Sequence, residues 1–363
     1  MDETEIVNAL RLIRTPNIGP VTYNLLLARY GDATNAVRHL PDIGKRQGRK
    51  FAIADKASCQ AIMDDMASLN VHILVRGMTN YPERLNHFND APPVMFAKGH
   101  LSLLKKDCFA IVGARNASLN ASKIAQDWSS EIGYAGYCII SGLARGIDRA
   151  AHLGALATGT IGVTACGIDV IYPQENEDLY QNCAQSGLIL TEMMPGTQPN
   201  PRAFPARNRI IASLAKAVIV VEAAKQSGSL ITAREVSDRG GDVLAVPGSP
   251  FDKRAAGCNL LIQQGALLVT SADDIIRHLS SPLTESVPLM PLIREVDLSQ
   301  IDEAMIEISS KKILENLTID PVDIDELMRW CHVSAQVIRV ALLELEIAGH
   351  VTMLSGNRVC LRI

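Results

Sequence analysis

Between residues 60 and 280, short apolar runs alternate with longer stretches of helical periodicity, and this alternation limits the possible folds more than any other feature. Nearly continuous apolar strands joined through helices predict an α/β fold with a doubly wound parallel sheet. Ligands of such sheets bind beyond the carboxyl ends of the strands, so the loops that follow the strands are the candidate site. The predicted strands are Cys108–Val112, Cys138–Ser141, Ile161–Ala165, Leu188–Thr191, Val218–Val221, Val243–Val246 and Leu267–Val269. The helical stretches include Ala121–Tyr134, Asp148–Ala157, Leu230–Arg239 and Asn259–Gln264.

The two flanks of this region have different patterns. Residues 1–58 predict a small helical domain, in which Thr15–Pro20 lies between two helices. This turn has the character of a helix-hairpin-helix turn, whose backbone N–H groups can hold a DNA phosphate, or it is an ordinary turn. Residues 281–300 are rich in Pro, Ser and Thr, which predicts a linker. Residues 301–363 predict three helices and then a hairpin, which is the pattern of a winged helix.

Charge and cysteine usage narrow the class of protein. The chain has 35 basic and 39 acidic residues, a formal net charge of −4, and only 4% aromatic residues. Any nucleic-acid site must therefore gather its positive charge in one groove. The eight cysteines lie singly, the N-terminus is acidic, and no apolar run reaches about 18 residues. We expect a cytoplasmic protein that has no membrane segment.

The first two loops of the predicted sheet are each rich in small residues. Ile111–Ser118 follows a strand and opens a helix, so its N–H groups favour an anion near Gly113, Arg115 and Ser118. In Ser141–Asp148, Arg145 can face the strand-end groove and Asp148 can cap the next helix. His152 follows within that helix, and we interpret it as a core histidine because no partnered nucleophile is evident.

The third and fourth loops carry most of the basic residues. Pro201–Ile211 holds Phe204 with three arginines, Arg202, Arg207 and Arg209. Arginines bind phosphates and an aromatic ring stacks on an unpaired base, although Arg207 and Arg209 could instead be buried partners of acidic groups. In Val221–Thr232, the segment Ser227-Gly228-Ser229 precedes a helix and predicts an anion cradle beside Lys225.

Signatures of catalysis are missing from the sequence. It contains no G-x-G-x-x-G fingerprint, no P-loop, no H-E-x-x-H and no G-x-S-x-G. We therefore expect a binding site that needs no cofactor and no metal. A fifth loop, Val246–Pro250, ends a strand in a turn.

Taken together, these loops resemble those of the DprA (Smf) family of DNA-processing proteins. The resemblance spans roughly residues 70–275 and rests on Ile111–Arg115, Ser141–Asp148 with His152, Phe204–Ile211, Ser227–Ala233 and Pro247-Gly248. The flanks are similar to the sterile-alpha-motif-like N-terminal domain and the winged helix of longer members.

The resemblance implies an extended Rossmann fold, a homodimer, single-stranded DNA bound in a basic pocket, and transfer of that DNA to RecA during natural transformation. Arg115 matches the family's phosphate-facing arginine, although Ala114 replaces the usual serine. A basic residue is common directly before Ser-Gly-Ser, where this chain has Gln226, with Lys225 one position earlier. The predicted DNA-binding residues are Gly113, Arg115, Ser118, Arg145, Arg202, Phe204, Arg207, Arg209, Lys225, Ser227, Gly228 and Ser229. We expect Arg115, Arg202 and Lys225 to meet around the Ser227–Ser229 cradle.

Two other functions stay open. Nucleotide phosphoribohydrolases of the lysine-decarboxylase-like group use the same sheet type, and Thr232 and Glu235 have their T-x-x-E spacing, but the Pro-Gly-Gly lead is missing. The chain could also be a transcription regulator that acts through its winged helix. The third helix of that domain offers only Arg339 as a basic residue, whereas recognition helices usually carry several donors.

Overall fold

The computed structural model describes residues 3–48, 51–280, 303–354 and 356–362. Its contacts divide the chain into two compact units. One unit is Asp65–Met290, and the other combines Met1–Asp64 with Pro291–Ile363. The linker predicted at residues 281–300 lies outside the described residues.

A nine-stranded sheet forms the centre of the Asp65–Met290 unit, in the order β1-β2-β6-β5-β4-β3-β7-β8-β9. The seven strands from β6 to β9 in this order are parallel, while β2 pairs antiparallel with both β1 and β6. This confirms the predicted doubly wound parallel sheet and adds an antiparallel edge that the sequence analysis missed. The strands are β1 Val71–Val75, β2 Val94–Gly99, β3 Cys108–Val112, β4 Cys138–Ser141, β5 Thr160–Val163, β6 Leu188–Thr191, β7 Ala215–Val220, β8 Asp242–Ala245 and β9 Leu267–Leu268.

The chain reverses its winding direction between β3 and β7. From β3 it passes outward through β4, β5 and β6, and it then crosses back to place β7 on the other side of β3. The loops after β3 and β7 therefore diverge at the topological switch point, where open α/β sheets usually bind ligands. The helices of this unit are α5 Leu119–Tyr134, α6 Ile147–Ala155, α7 Glu177–Ser186, α8 Ala203–Leu214, α9 Ser229–Asp238, α10 Ala256–Gln263 and α11 Ala272–Leu279.

Both faces of the sheet are buried, as the apolar strands require. In β3, Ala110 packs with α8, α9 and α10 on one face, and Ile111 packs with α5, α6 and α11 on the other. Alternate residues of a strand point to opposite faces, so an almost wholly apolar strand can fill two cores at once. The rigid sheet between these cores holds the strand-end loops in place.

The second unit combines the N-terminal helices with the winged helix. The N-terminal helices are α1 Glu3–Ile13, α2 Pro20–Tyr30 and α3 Ala33–Arg46, and α4 Lys56–Ser68 leads into the other unit. The winged helix contains α12 Glu303–Asn316, β10 Val322–Asp323, α13 Ile324–Cys331, α14 Ala335–Ile347, β11 Val351–Leu354 and β12 Arg358–Leu361. Within the ranges given above, no helix is both long enough and apolar enough to cross a lipid bilayer.

Candidate nucleic-acid interface

A pocket of about 350 Å³ lies at the carboxyl ends of β3, β4 and β5. Its lining comes from the loops after these three strands and from the first turns of α8. Four predicted residues line it, namely Arg115, Arg145, Phe204 and Arg207. It is also lined by Gly142, Leu143, Ala144, Thr164, Ala165, Tyr172, Pro173, Gln174 and Glu175, which the sequence analysis did not assign to the site.

Arg115 and two aromatic rings form one wall of the pocket. The guanidinium carbon of Arg115 lies 5.4 Å from the centroid of the Phe204 ring. The Tyr172 ring lies 5.6 Å from the same centroid at an interplanar angle of 44°. Arg115 is exposed, so its charge faces solvent while its position is held by a cation–π contact. An exposed cation beside two rings can accept a phosphate and an unpaired base together.

A second arginine of the pocket carries less free charge. Arg145 forms an ion pair with Glu175 at 3.6 Å, and both side chains are more than half exposed. Exposed pairs of this kind contribute little stability and can exchange partners.

Arg207 lines the pocket, but its side chain is buried and bonded to the protein itself. Its guanidinium is buried and donates hydrogen bonds to the carbonyl oxygens of Gly142 and Val163. Burial lowers the pKa of this guanidinium to about 10, and the Asp148 carboxylate opposes the shift. A Cβ on Gly142 would lie 2.6 Å from the Arg207 nitrogens, so a larger residue there would displace the guanidinium. Arg207 therefore supports the loop after β4. It is buried, as the alternative interpretation expected, but it bonds to carbonyl oxygens rather than to an acidic side chain.

Asp148 contacts the loop instead of capping α6. Its carboxylate accepts hydrogen bonds from the backbone N–H groups of Gly142 at 3.1 Å and Ala144 at 3.4 Å. The N-cap of α6 is Gly146, and no side chain caps it. The predicted helix cap at Asp148 is therefore wrong. The short loop folds back over the first turn of α6, which brings its N–H groups to the carboxylate.

The segment that we predicted as the third loop is mostly helical. α8 begins at Ala203 and holds Pro205 in its first turn. Proline is tolerated in the first turn of a helix, because the N–H that it lacks would have no partner there in any case. Arg209 is on this helix and forms an ion pair with Glu192, and both side chains are largely buried. The structure thus offers Phe204, but not Arg207 or Arg209, to solvent.

The anion site predicted after β3 is already occupied by the protein's own carboxylate. Ser118 caps α5, and Glu222 from the loop after β7 accepts hydrogen bonds from the Ser118 backbone N–H at 3.1 Å and from its hydroxyl at 2.7 Å. Ala114 N also donates to Glu222 O at 2.7 Å. The helix N-terminus is satisfied internally, so Ser118 is not available to a phosphate. Glu222 thus fills the switch point internally, and the pocket opens over β3, β4 and β5.

The loop after β3 is fixed from the other side by Gly146. This glycine has φ +72°, and a Cβ there would meet Ala114 O at 2.2 Å and Arg115 O at 2.7 Å. Ile147 N donates to Ala114 O at 3.2 Å. Gly113 is equally confined, since a Cβ on it would lie 2.6 Å from Ile147. These contacts hold the backbone that carries Arg115.

The segment Ser227–Ser229 lies at the N-terminus of α9, as predicted. Gly228 is the N-cap and is exposed, while the hydroxyls of Ser227 and Ser229 bond to each other at 2.7 Å. Lys225 is exposed, and in the described part of the chain it has no hydrogen bond or ion pair. Neither this cradle nor Lys225 nor Arg202 lines the pocket. The expected meeting of Arg115, Arg202 and Lys225 therefore stays a prediction.

His152 lies in the core of the sheet unit. It is fully buried, and its Nδ1 lies 2.7 Å from the hydroxyl of Thr160. That hydroxyl donates to Ile139 O at 3.0 Å, so His152 Nδ1–H donates to it. Burial lowers the pKa of the imidazole to about 3, which keeps it neutral at physiological pH.

Neither alternative function gains support from the geometry. Thr232 is buried on α9, and Glu235 pairs with Arg239 at 3.0 Å, so the two do not face the pocket. The third helix of the winged helix, α14, is buried along most of its length. Arg46 of α3 pairs with its buried Glu344 at 2.7 Å, and Asn17 of the N-terminal turn donates to Ile347 O at 3.2 Å. The N-terminal helices thus cover the second half of the helix that a regulator would present to DNA.

The fold and the pocket define a class of α/β protein in which a Rossmann-like sheet carries a cationic and aromatic site, flanked by helix-hairpin-helix and winged-helix modules. Three family models match the chain. DNA recombination-mediator protein A matches residues 72–280, the DprA-like N-terminal HHH domain matches residues 3–64, and the DprA winged helix domain matches residues 307–357. The chain belongs to the DprA/Smf family.

Relatives and solved structures support this assignment. DNA processing protein DprA of Streptococcus pneumoniae is 46% identical over 202 residues, which cover 54% of this chain and 70% of the relative. Protein Smf of Synechocystis is 30% identical over 378 residues, covering 94% and 95%. The X-ray structure of the S. pneumoniae protein has a TM-score of 0.56 at 35% identity and covers 71% of this chain and 97% of that one. A structure of the Helicobacter pylori protein, which describes its single-stranded DNA binding mode, has a TM-score of 0.54 at 29% identity and covers 58% and 95%.

Proposed function

We propose that this chain binds single-stranded DNA at the carboxyl edge of its central sheet, without catalysing a reaction. The observation that carries the proposal is the exposed Arg115 guanidinium held over the Phe204 ring, with Tyr172 beside it. Duplex DNA keeps its bases stacked inside the helix, whereas a single strand can offer a phosphate and an unpaired base to such a wall.

The surroundings of the pocket support binding rather than turnover. Its two buried titratable neighbours, Asp148 and Arg207, are both engaged in holding the loop after β4. The imidazole of His152 is fully buried in the core and bonded to Thr160. None of these three groups faces the pocket with a free nucleophile or base.

We further propose that the bound strand is passed to RecA in the cytoplasm during natural transformation, and that the protein acts as a homodimer. Family membership supports these roles. For the dimer, the edge strand β9 offers Leu267 and Leu268, which are 39% and 48% exposed. An apolar edge strand invites pairing with a second copy.

Fluorescence anisotropy with a labelled oligothymidylate tests the central proposal. Arg115→Glu should weaken binding and flatten the log–log salt dependence by about 0.7 for one lost phosphate contact on a single strand. Phe204→Ala should weaken binding with little change in the salt slope. Arg339→Glu, an exposed reversal on the winged helix, serves as the matched control and should leave both quantities unchanged.

Unlabelled duplex of the same length should compete poorly for the pocket. The proposal is wrong if both pocket variants bind like the wild type while remaining folded. RecA filament formation on strands coated with a single-strand-binding protein, followed with and without this chain, tests the transfer step. Light scattering measures the oligomeric state.

A further inference from the structure

The loop between β8 and α10 carries the most exposed large apolar side chain among the described residues. Phe251 lies at the tip of this loop, and 97% of its surface is accessible. Burying a phenylalanine is worth about 1.5–3 kcal/mol, so the chain forgoes a substantial gain at this position. Single exposed apolar residues are common, and the surroundings of Phe251 therefore decide whether its exposure has a use.

The conformation of the tip is fixed by hydrogen bonds. Asn259 donates to Gly248 O at 2.9 Å and accepts from Gly248 N at 3.2 Å, which closes the base of the loop. Asp252 accepts from the backbone N–H of Arg254 at 2.9 Å and pairs with its guanidinium at the same distance. The backbone N–H of Phe251 donates to the Ser249 hydroxyl at 3.3 Å. The loop thus presents the ring to solvent in a defined turn.

The loop is joined to the segment that carries Lys225. Gly257 N donates to Ala223 O at 2.7 Å. A Cβ at Gly257 would lie 2.6 Å from Ala223 O and 2.7 Å from Ala224 O, so only glycine allows this approach. The loops after β4, β3, β7 and β8 are therefore linked in a row, through Ile147 to Ala114, Ala114 to Glu222, and Ala223 to Gly257.

Positive charge accompanies the ring. Lys253 and Lys225 are both exposed, and neither has a hydrogen bond or ion pair within the described residues. Arg254 adds a cation whose charge is shared with Asp252. The tip therefore repeats the combination of aromatic ring and free cation found at Arg115 and Phe204.

We propose that Phe251, Lys253 and Lys225 form a second contact for the same single strand, with the Phe251 ring as a stacking platform for a base. The strand would run from the pocket over the internally filled switch point to this tip. The ends of β4 and β8 are three strand spacings apart, or about 14 Å. At the ~3.4 Å rise of one DNA strand, this distance corresponds to about four nucleotides. The inference rests on the proposed function, because it extends the path of the strand held in the pocket.

Oligothymidylates of increasing length test the second contact. Phe251→Ala should bind short oligomers like the wild type and bind longer ones about 5- to 160-fold more weakly, the range of one base–aromatic stacking contact. Phe251→Trp should retain the affinity for long oligomers. Lys253→Glu should flatten the salt slope by about 0.7, and only for the longer oligomers. Tyr134→Ala is the matched control, since Tyr134 is 75% exposed at the far end of α5, away from the carboxyl edge.

A strand that carries 2-aminopurine at successive positions gives a direct readout. Its fluorescence should be quenched at one position near the end of a long oligomer, and Phe251→Ala should abolish that quenching. Unchanged quenching and affinity in Phe251→Ala, with Phe204→Ala still impaired, would overturn the second contact and leave the pocket standing. If neither Phe251→Ala nor Phe204→Ala weakens binding, the proposed function itself is overturned. A changed mass in light scattering, with unchanged affinity, would assign the tip to a contact between two copies and would also overturn the inference.

Discussion

The Glu222 carboxylate should stabilise the sheet unit because it satisfies the N-terminus of α5. It accepts two hydrogen bonds from Ser118, at 3.1 Å and 2.7 Å, and the side chain is only 8% exposed. In Glu222→Gln, both hydrogen bonds to Ser118 lose their charge assistance, and the negative charge near the helix dipole is lost. The weakening of the two bonds and the lost dipole interaction together amount to about 2–4 kcal/mol.

Thermal denaturation of the full chain measures this effect. For a unit of this size, 2–4 kcal/mol corresponds to a fall in Tm of roughly 4–16 °C. Glu131→Gln is the matched control, since Glu131 is exposed near the other end of α5 and its replacement should shift Tm by little. The affinity of folded Glu222→Gln for single-stranded DNA should not fall, because a negative charge between two basic loops is removed. A Tm equal to that of the wild type would refute the assigned role of Glu222.

Two largely buried arginines, Arg207 and Arg46, are expected to support the fold. Arg207→Met removes a buried guanidinium bonded to Gly142 and Val163 and leaves the buried Asp148 carboxylate with its backbone hydrogen bonds alone, so we expect a loss of about 3–5 kcal/mol in the free energy of unfolding. Urea denaturation checks this, and a stable variant with impaired DNA binding would instead make Arg207 a phosphate contact. Arg46→Met leaves the buried Glu344 without its arginine partner and should lower the stability of the N-terminal and winged-helix unit by a similar ~3–5 kcal/mol. Adding Glu344→Met should restore much of this stability, because well-packed apolar pairs often replace buried ion pairs without loss. Differential scanning calorimetry that shows equal melting of the single and the double variant would contradict this account of the pair.

The parallel part of the sheet was predictable because its strands are buried on both faces. Runs such as Cys108–Val112 are almost wholly apolar, and the structure places a strand on the same five residues. The antiparallel edge was missed, although Val71–Val75 is an apolar run interrupted only by His72. No α-helix follows β1 or β2 before the next strand, so these two strands fall outside the repeating βα pattern from which the others were predicted.

The sequence predicted the backbone of the site, but not which side chains would lie there. A strand followed by small residues and a serine cap favours an anion, and the anion that arrives at Ser118 is the side chain of Glu222, 104 residues further along the chain. Likewise, three arginines in one segment predict phosphate binding, but the helical turn of α8 sends Arg207 and Arg209 inward and leaves Phe204 at the pocket. Which side chains face solvent depends on contacts between distant residues, and local sequence does not encode those contacts. The pairing of Arg115 with Phe204 could be found only after the fold had brought the loop after β3 to the start of α8.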